Sequence, residues 1–180
     1  MFNEIQKRTL LTVARQAIGD SLKGKKPVRP VAVDPVFLEK CGAFVTLEKE
    51  GELRGCIGHI AADRVLIDVI REMALQAAFH DPRFHPLQSE EVNSITIELS
   101  ILSEFQRIQA PSEIHIGLHG LYIRKGFFSG LLLPQVAARY GWDRDTFLRH
   151  ICIKAGLPED AWRDDESELF VFSADVFSET

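Results

Sequence analysis

The sequence predicts an α+β fold in which two related hairpin–helix–strand repeats surround a single curved, barrel-like and mostly antiparallel sheet. Alternating apolar and polar residues between turn-forming glycines indicate strands, and apolar residues at three- and four-residue spacing indicate helices. The order hairpin, helix, strand occurs twice, although the two halves share few identical residues. We therefore expect one domain over residues 1–180, with two lobes at about 1–105 and 106–180.

The first half contains the more regular pattern. Helical spacing of apolar residues predicts a first helix that stops at 19–20, and an extended basic loop follows over 23–35. Residues 42–57 form a predicted hairpin, since β-branched and aromatic residues flank a charged turn that contains a glycine. Asp63 is the predicted cap of a second helix, which Pro82 ends near residue 80. Strict alternation then predicts a half-buried strand over 95–101.

The second half repeats this order less clearly. A hairpin is predicted over 120–133, with Phe127 and Phe128 in the core because they lie on strand patterns. Pro134 is suited to a helix start, and Asp143 is suited to cap a further helix that ends at Gly156. The final strand is predicted over 169–177.

Composition excludes several classes of protein. With 21 basic and 26 acidic residues the net charge is −5, which disfavours nucleic-acid binding through bulk charge. The longest uncharged stretch has thirteen residues, whereas a membrane-spanning helix needs about 20 apolar residues. Three widely spaced cysteines predict free thiols in a reducing cytoplasm rather than a disulfide framework.

The segment Leu53–Gly58, with the sequence Leu-Arg-Gly-Cys-Ile-Gly, is the main candidate for chemistry. Because side chains alternate along a strand, Arg54 and Cys56 are expected on one face. Gly55 and Gly58 weaken a strand, so their presence requires a reason. Either a ligand or another backbone approaches closely there, or the strand bends within a curved sheet.

A nucleophilic Cys56 is one hypothesis for this segment. A guanidinium beside a thiol favours the thiolate, and a turn after Gly58 would bring His59 within reach of the thiol proton. The alternative is a cysteine that packs as a small apolar residue, which is the more common case.

A second candidate element is the loop Asp81–Phe84. Asp81 and Arg83 flank a proline and are predicted to pair across a tight turn, with presentation of the charged pair to a ligand as the alternative. We place a possible ligand-binding site in the two segments together, with Cys56 as the candidate catalytic residue. The predicted ligand-binding residues are Leu53, Arg54, Gly55, Cys56, Ile57, Gly58, Asp81, Arg83 and Phe84.

No metal site or cofactor is predicted. The sequence has neither a Cys-x-x-Cys nor a His-Glu-x-x-His motif. His59, His80 and His85 are close in sequence, but their spacing fits no standard metal motif.

These motifs together resemble the AMMECR domain family. The resemblance covers nearly the whole chain and is most specific in the hexapeptide 53–58. Other matching segments are Gly42–Leu47, Ala77–Phe79, Asp81–Phe84, Leu99–Ser103, His119–Leu121, Leu133–Val136, Gly141–Trp142, Phe147–Leu148 and Lys154–Leu157, with Trp162.

The resemblance implies a fold of two related β/α repeats, but no settled activity. In bacteria and archaea such proteins are grouped as protein A of the AmmeMemoRadiSam system, with a Memo-like protein and a radical SAM enzyme. We therefore expect an accessory or interaction protein that works with these two partners, with neither nucleic acid nor membrane as a partner. A small enzyme that uses Cys56 as its nucleophile is the alternative.

Overall fold

The computed structural model describes residues 2–25 and 34–179. Four α-helices and eight strands lie in this part of the chain, with short 3₁₀ turns between them. The helices are α1 (Glu4–Leu22), α2 (Leu66–Phe79), α3 (Pro134–Tyr140) and α4 (Arg144–Lys154). The strands are β1 (Ala43–Lys49), β2 (Glu52–His59), β3 (Ile95–Leu102), β4 (Gln106–Arg107), β5 (Gly120–Lys125), β6 (Phe128–Leu132), β7 (Glu168–Phe172) and β8 (Ala174–Ser178).

The chain divides into two compact units. The first unit comprises residues 1–102 together with 175–180, and the second comprises residues 103–174. Each unit has one four-stranded sheet, with strand order β2-β1-β3-β8 in the first and β4-β7-β5-β6 in the second. The predicted α+β class is confirmed, and the strands belong to two sheets where one curved sheet was expected.

The predicted repeat is visible in how the strands pair. In the first unit β1 is antiparallel to both β2 and β3, and in the second unit β5 is antiparallel to both β6 and β7. Each unit thus contains a hairpin whose first strand also pairs with the strand that follows the helices. The fourth strand of each sheet comes from a different place in the sequence. β4 follows β3 but pairs with β7, and β8 follows β7 but joins β3.

Both repeats depend on a glycine where a helix approaches the second hairpin strand. A Cβ atom on Gly55 of β2 would lie 2.3 Å from the carbonyl oxygen of Ala77 in α2. A Cβ atom on Gly130 of β6 would lie 2.8 Å from the backbone nitrogen of Ala155, at the end of α4. Close backbone approach, one of the two explanations for the glycines of the hexapeptide, therefore accounts for Gly55.

Each unit has its own apolar core. In the first unit α1 and α2 pack against each other, and α2 packs on β1 and β2. Val45 and Leu47 of β1 and Ile97 and Leu99 of β3 are fully buried in this core. In the second unit Phe147 and Leu148 of α4 lie in a separate core with residues of β5 and β7.

The first half differs from the sequence prediction in two places. The structure places the start of α2 at Leu66 with Val65 as its cap, so Asp63 does not cap this helix. The side chain of Asp63 instead pairs with His59. The first helix continues past the predicted stop to Leu22. Within the predicted basic loop, residues 26–33 lie outside the described part of the chain.

The second half also differs. The predicted final strand is broken at Ser173 into β7 and β8, which belong to different sheets. Phe127 and Phe128 were expected in the core, and this prediction was wrong. Both side chains are exposed, because Phe127 lies in the turn of the second hairpin and Phe128 at its edge.

In residues 2–25 and 34–179, the helices are all too short or too polar to cross a membrane.

Substitution of Gly55 tests the close helix–strand approach. Gly55→Ala should lower the free energy of unfolding by about 1–3 kcal/mol, because the added methyl group overlaps the Ala77 carbonyl. Gly19→Ala is the matched control, since Gly19 lies inside α1 and a Cβ atom there would meet nothing within 4 Å in the described residues outside the backbone of its own helix. That substitution should raise stability by about 0.5–1 kcal/mol. Urea unfolding of both variants measures the difference, and equal stability of the two would contradict the close approach.

Candidate functional site

The candidate site lies along β2, which is an edge strand of the first sheet. β2 contains the whole hexapeptide, and a bulge interrupts its pairing with β1. Leu47 is paired with Gly55 and Glu48 with Leu53, so Arg54 is the additional residue of the bulge. A bulge interrupts the regular alternation of side chains along a strand. Arg54 and Cys56 therefore do not alternate as they would in a regular strand.

The Asp81–Phe84 loop covers the open edge of β2 at Cys56. The backbone N–H of Cys56 donates a hydrogen bond to Asp81 Oδ2 at 2.9 Å. The carbonyl oxygen of Cys56 accepts a hydrogen bond from Arg83 Nη2 at 3.2 Å. A carboxylate and a guanidinium thus take the place of a neighbouring strand, which satisfies backbone groups that an edge strand would otherwise leave open.

Asp81 and Arg83 also bind each other, which confirms the predicted pairing across the turn. Arg83 donates from Nη2 to Asp81 Oδ2 at 2.7 Å and from Nε to Oδ1 at 3.0 Å. The Asp81 side chain is 1% exposed, whereas that of Arg83 is 52% exposed. The Arg83 guanidinium and two backbone N–H groups hold the pKa of the Asp81 carboxyl well below its usual range. Asp81 is therefore a buried anion with all its partners fixed.

Arg54 forms a second ion pair, with Glu91 in a 3₁₀ turn before β3. Its Nη2 lies 2.9 Å from Glu91 Oε2, and the same nitrogen donates to the carbonyl oxygen of His85 at 3.0 Å. Arg54 lowers the pKa of Glu91 to about 2, with help from the backbone N–H of Gln88 and from Lys49. The Nη1 atom of Arg54 is buried, with no hydrogen-bond partner in the described part of the chain.

Phe84 lies next to both arginines. The guanidinium carbons of Arg54 and Arg83 lie 5.9 Å and 5.4 Å from the centroid of its ring. Both distances allow cation–π attraction. The structure therefore brings Arg54, Cys56, Asp81, Arg83 and Phe84 together in one cluster, and a ligand-binding role for this cluster stays a prediction.

The Cys56 thiol lies on the face of the sheet opposite Gly55. Its sulfur is 3.3 Å from the hydroxyl oxygen of Thr46, the residue paired with it on β1. Burial raises the pKa of the Cys56 thiol, and this effect outweighs the opposite influence of Thr46 and Arg83. Nearby carboxylates of Asp81 and Glu98 also raise this pKa. These surroundings favour the neutral thiol at neutral pH.

Two of the remaining residues of the hexapeptide, Ile57 and Gly58, have packing roles. Gly58 accommodates the ring of Phe44, because a Cβ atom there would lie 2.2 Å from the ring. Ile57 packs against the core of the first unit. Leu53 is 43% exposed at the start of β2, so it is the apolar member of the motif that is accessible.

The three histidines near the motif do not form a metal site. His59 is paired with Asp63 at 2.6 Å, and His80 and His85 are exposed. In residues 2–25 and 34–179, no group of three or more His, Cys, Asp or Glu side chains is placed to hold a metal ion.

Sequence reasoning missed Glu91 and Thr46 as members of the cluster. Glu91 lies 37 residues from Arg54, and no local spacing connects the two. Thr46 could not be found from the hairpin register either, because counting from the turn at 50–51 places it opposite Gly55, and only the bulge at Arg54 brings it opposite Cys56.

The first unit also contains a groove of about 730 Å³ that the motif does not line. It lies between α1 and the end of β8, with Leu11, Ile95 and Phe177 among its walls. Arg15 binds Glu179 in this groove and also donates to the carbonyl oxygens of Val92 and Ile95. These contacts attach Glu179, the last described residue, to α1. The polar residues of the groove therefore have a structural role.

Comparison with known proteins gives consistent matches over nearly the whole chain. The AMMECR1 family model matches residues 11–177. A protein of Methanothermobacter thermautotrophicus is 44% identical over 179 residues, which cover 96% of this chain and 93% of that protein. A protein of Aquifex aeolicus is 41% identical over 179 residues, which cover 96% of this chain and 92% of the other.

A solved structure also matches the fold. The crystal structure of the uncharacterised protein PH0010 from Pyrococcus horikoshii superimposes with a TM-score of 0.94 and 38% sequence identity. The match covers 99% of this chain and 93% of the Pyrococcus chain.

Substitution of Asp81 should reveal the buried ion pair as a pH-dependent loss of stability. Asp81→Asn should lower the free energy of unfolding by about 1.5–3 kcal/mol at pH 7, because the charged hydrogen bonds to Arg83 are lost. Since folding lowers the pKa of Asp81, its stabilisation is present above about pH 4 and is lost as the pH falls further. The difference between parent and variant should therefore shrink in acid.

Asp63→Asn is the matched control for this measurement. Asp63 is also ion-paired, with His59, but its side chain is 64% exposed. Solvent screens an exposed pair, so this variant should be nearly as stable as the parent protein. A similar loss in both variants, or a loss for Asp81→Asn that is independent of pH, would contradict the assignment.

Proposed function

Because the chain belongs to the AMMECR1 family, we propose that it is an accessory protein that works with a Memo-like protein and a radical SAM enzyme. In this proposal the edge of β2 forms the binding groove, with Leu53 and the Asp81–Phe84 loop at its surface. The chemistry belongs to the partners, and this chain supplies a rigid surface. The same proposal places the protein in the cytoplasm, where its three cysteines stay reduced.

The observation that carries this proposal is the fixed but accessible position of Arg83. Half of its side chain is exposed, yet Asp81 and the Cys56 carbonyl hold the guanidinium through three hydrogen bonds. A side chain that is already ordered loses little entropy when a partner binds. Leu53, three residues before Cys56 on the same strand, offers exposed apolar area. An arginine and an exposed apolar side chain on one strand edge are suited to a recognition surface, because interfaces are enriched in arginine and in apolar contact.

A nucleophilic Cys56 has weaker support. The thiolate would be the reactive form, and burial raises the pKa of this thiol. Arg54, which was expected to stabilise the thiolate, pairs with Glu91 instead. His59, the suggested base, pairs with Asp63. The binding role therefore fits the cluster better than covalent catalysis.

Substitution of Leu53 tests the binding surface. Leu53→Ser should weaken binding to the Memo-like protein or the radical SAM enzyme by about 5- to 30-fold, the effect of losing about 1–2 kcal/mol of apolar contact. Leu38→Ser is the matched control, because Leu38 is also 43% exposed but lies in another part of the first unit. Titration calorimetry with each partner gives the affinities. Equal affinities for both variants would place the binding surface elsewhere, and no binding by the parent protein would refute the accessory role.

The reactivity of Cys56 distinguishes the accessory protein from the enzyme. In the Cys41→Ala/Cys152→Ala background, alkylation of Cys56 should be slower than in the urea-unfolded chain, and its rate should rise with pH throughout the range from about 6 to 9. A raised pKa leaves little thiolate at neutral pH. Cys56→Ala should retain partner binding. A rate that reaches its plateau below about pH 7 would instead support the nucleophile.

A further inference from the structure

The hairpin turn of the second unit presents two exposed phenylalanines. Phe127 is 106% exposed, so its ring contacts almost nothing in the protein. Phe128, the next residue, is 54% exposed at the start of β6. Two adjacent aromatic rings in water are costly to a soluble protein and require an explanation. We call this pair the aromatic tip.

Folding does not require an aromatic residue in the turn. Lys125 is paired with Phe128, so the turn consists of Gly126 and Phe127 alone. Gly126 has a φ of 57°, the left-handed conformation that a two-residue hairpin needs at its first position. The second position needs no large side chain. A polar residue at 127 would form the same turn without exposed apolar area.

The charged groups beside the tip are neutralised within the unit. Lys125 pairs with Asp164, and Arg124 pairs with Glu168 at 2.6 Å. Neither of these two cations is therefore free to bind an anionic surface, and Glu166 and Asp160 add negative charge near Lys125. Binding to an anionic membrane needs unpaired cations around the apolar residues, and the chain as a whole has a net charge of −5. Charge thus favours a protein over a lipid surface as the partner.

The area of the tip favours a pocket on another protein over a second copy of this chain. Two phenylalanines bury about 300–500 Å² at most, whereas a stable interface buries about 800 Å² on each side. Two tips placed against each other would not reach this area. A pocket that encloses both rings buries no more of the tip than this, so the tip serves as an anchor within a larger interface and not as an interface by itself.

We propose that the aromatic tip, Phe127 and Phe128, is an anchor that inserts into an apolar pocket on a partner protein. The inference rests on the proposed accessory function, and it adds a second contact, in the second unit, to the surface at β2. The ring of Phe127 is the main anchor because it is free of contacts within the chain. Phe128 supports it, since its own ring lies next to Gly156.

The test compares Phe127→Ser and Phe127→Leu with the control Leu118→Ser. Leu118 is 57% exposed and precedes β5, at the opposite end of the strand from the tip. All three variants should retain the melting temperature of the parent, because these side chains make few contacts. Binding to the Memo-like protein and to the radical SAM enzyme is measured by calorimetry. Phe127→Ser should weaken binding to one of them by about 10- to 100-fold, whereas Phe127→Leu should retain part of the affinity and Leu118→Ser all of it.

The outcomes separate this inference from the proposed function. If the parent protein binds a partner and Phe127→Ser binds equally well, the anchor is refuted while the accessory function stands. If the parent protein binds neither partner, the accessory function and the anchor that rests on it both fail. Two further measurements test other occupants: sedimentation of the protein alone, and sedimentation with vesicles of phosphatidylserine and phosphatidylcholine. A dimer or vesicle binding that Phe127→Ser abolishes would assign the tip to a second copy or to a membrane, and would overturn the proposal.

Discussion

The buried carboxylate of Asp81 is the constraint on which the candidate site depends. It accepts the backbone N–H of Cys56 and binds Arg83, which in turn donates to the carbonyl oxygen of Cys56. An unpaired anion at this depth would cost several kcal/mol, so the loop and the strand edge must stay together. This requirement holds the open side of β2, where no further strand pairs with it. It also positions Phe84 beside two guanidinium groups.

A second constraint acts through glycine in both repeats. Gly55 and Gly130 occupy the second strand of each hairpin, and each meets the backbone of an alanine on a helix or at its end. The two halves share few identical residues, yet the same contact recurs because strand and helix can approach this closely only without a side chain. In the first unit this contact and the Asp81 loop act on adjacent residues of β2, so the strand is held from the helix side and along its edge.

The charged residues of the two site segments form ion pairs within the protein. Arg54 binds Glu91 and Arg83 binds Asp81, so the charges that suggested an activated thiol are compensated. Leu53 in the first unit and the aromatic tip in the second are exposed apolar side chains, and the paired Arg83 stays half exposed. This use of the charged residues supports the proposed binding role over the alternative of a nucleophilic Cys56.

The sequence by itself determined the α+β class, most of the helices and strands, and the repeat, because these follow from local periodicity and from turn residues. It also predicted the Asp81–Arg83 pair, whose members are two residues apart. Only the tertiary structure decided that residues 169–177 split between two sheets, that Glu91 pairs with Arg54, and that Phe127 and Phe128 are exposed. These features depend on contacts between residues far apart in sequence, or on which side of a hairpin remains uncovered, and alternation along a strand contains neither kind of information.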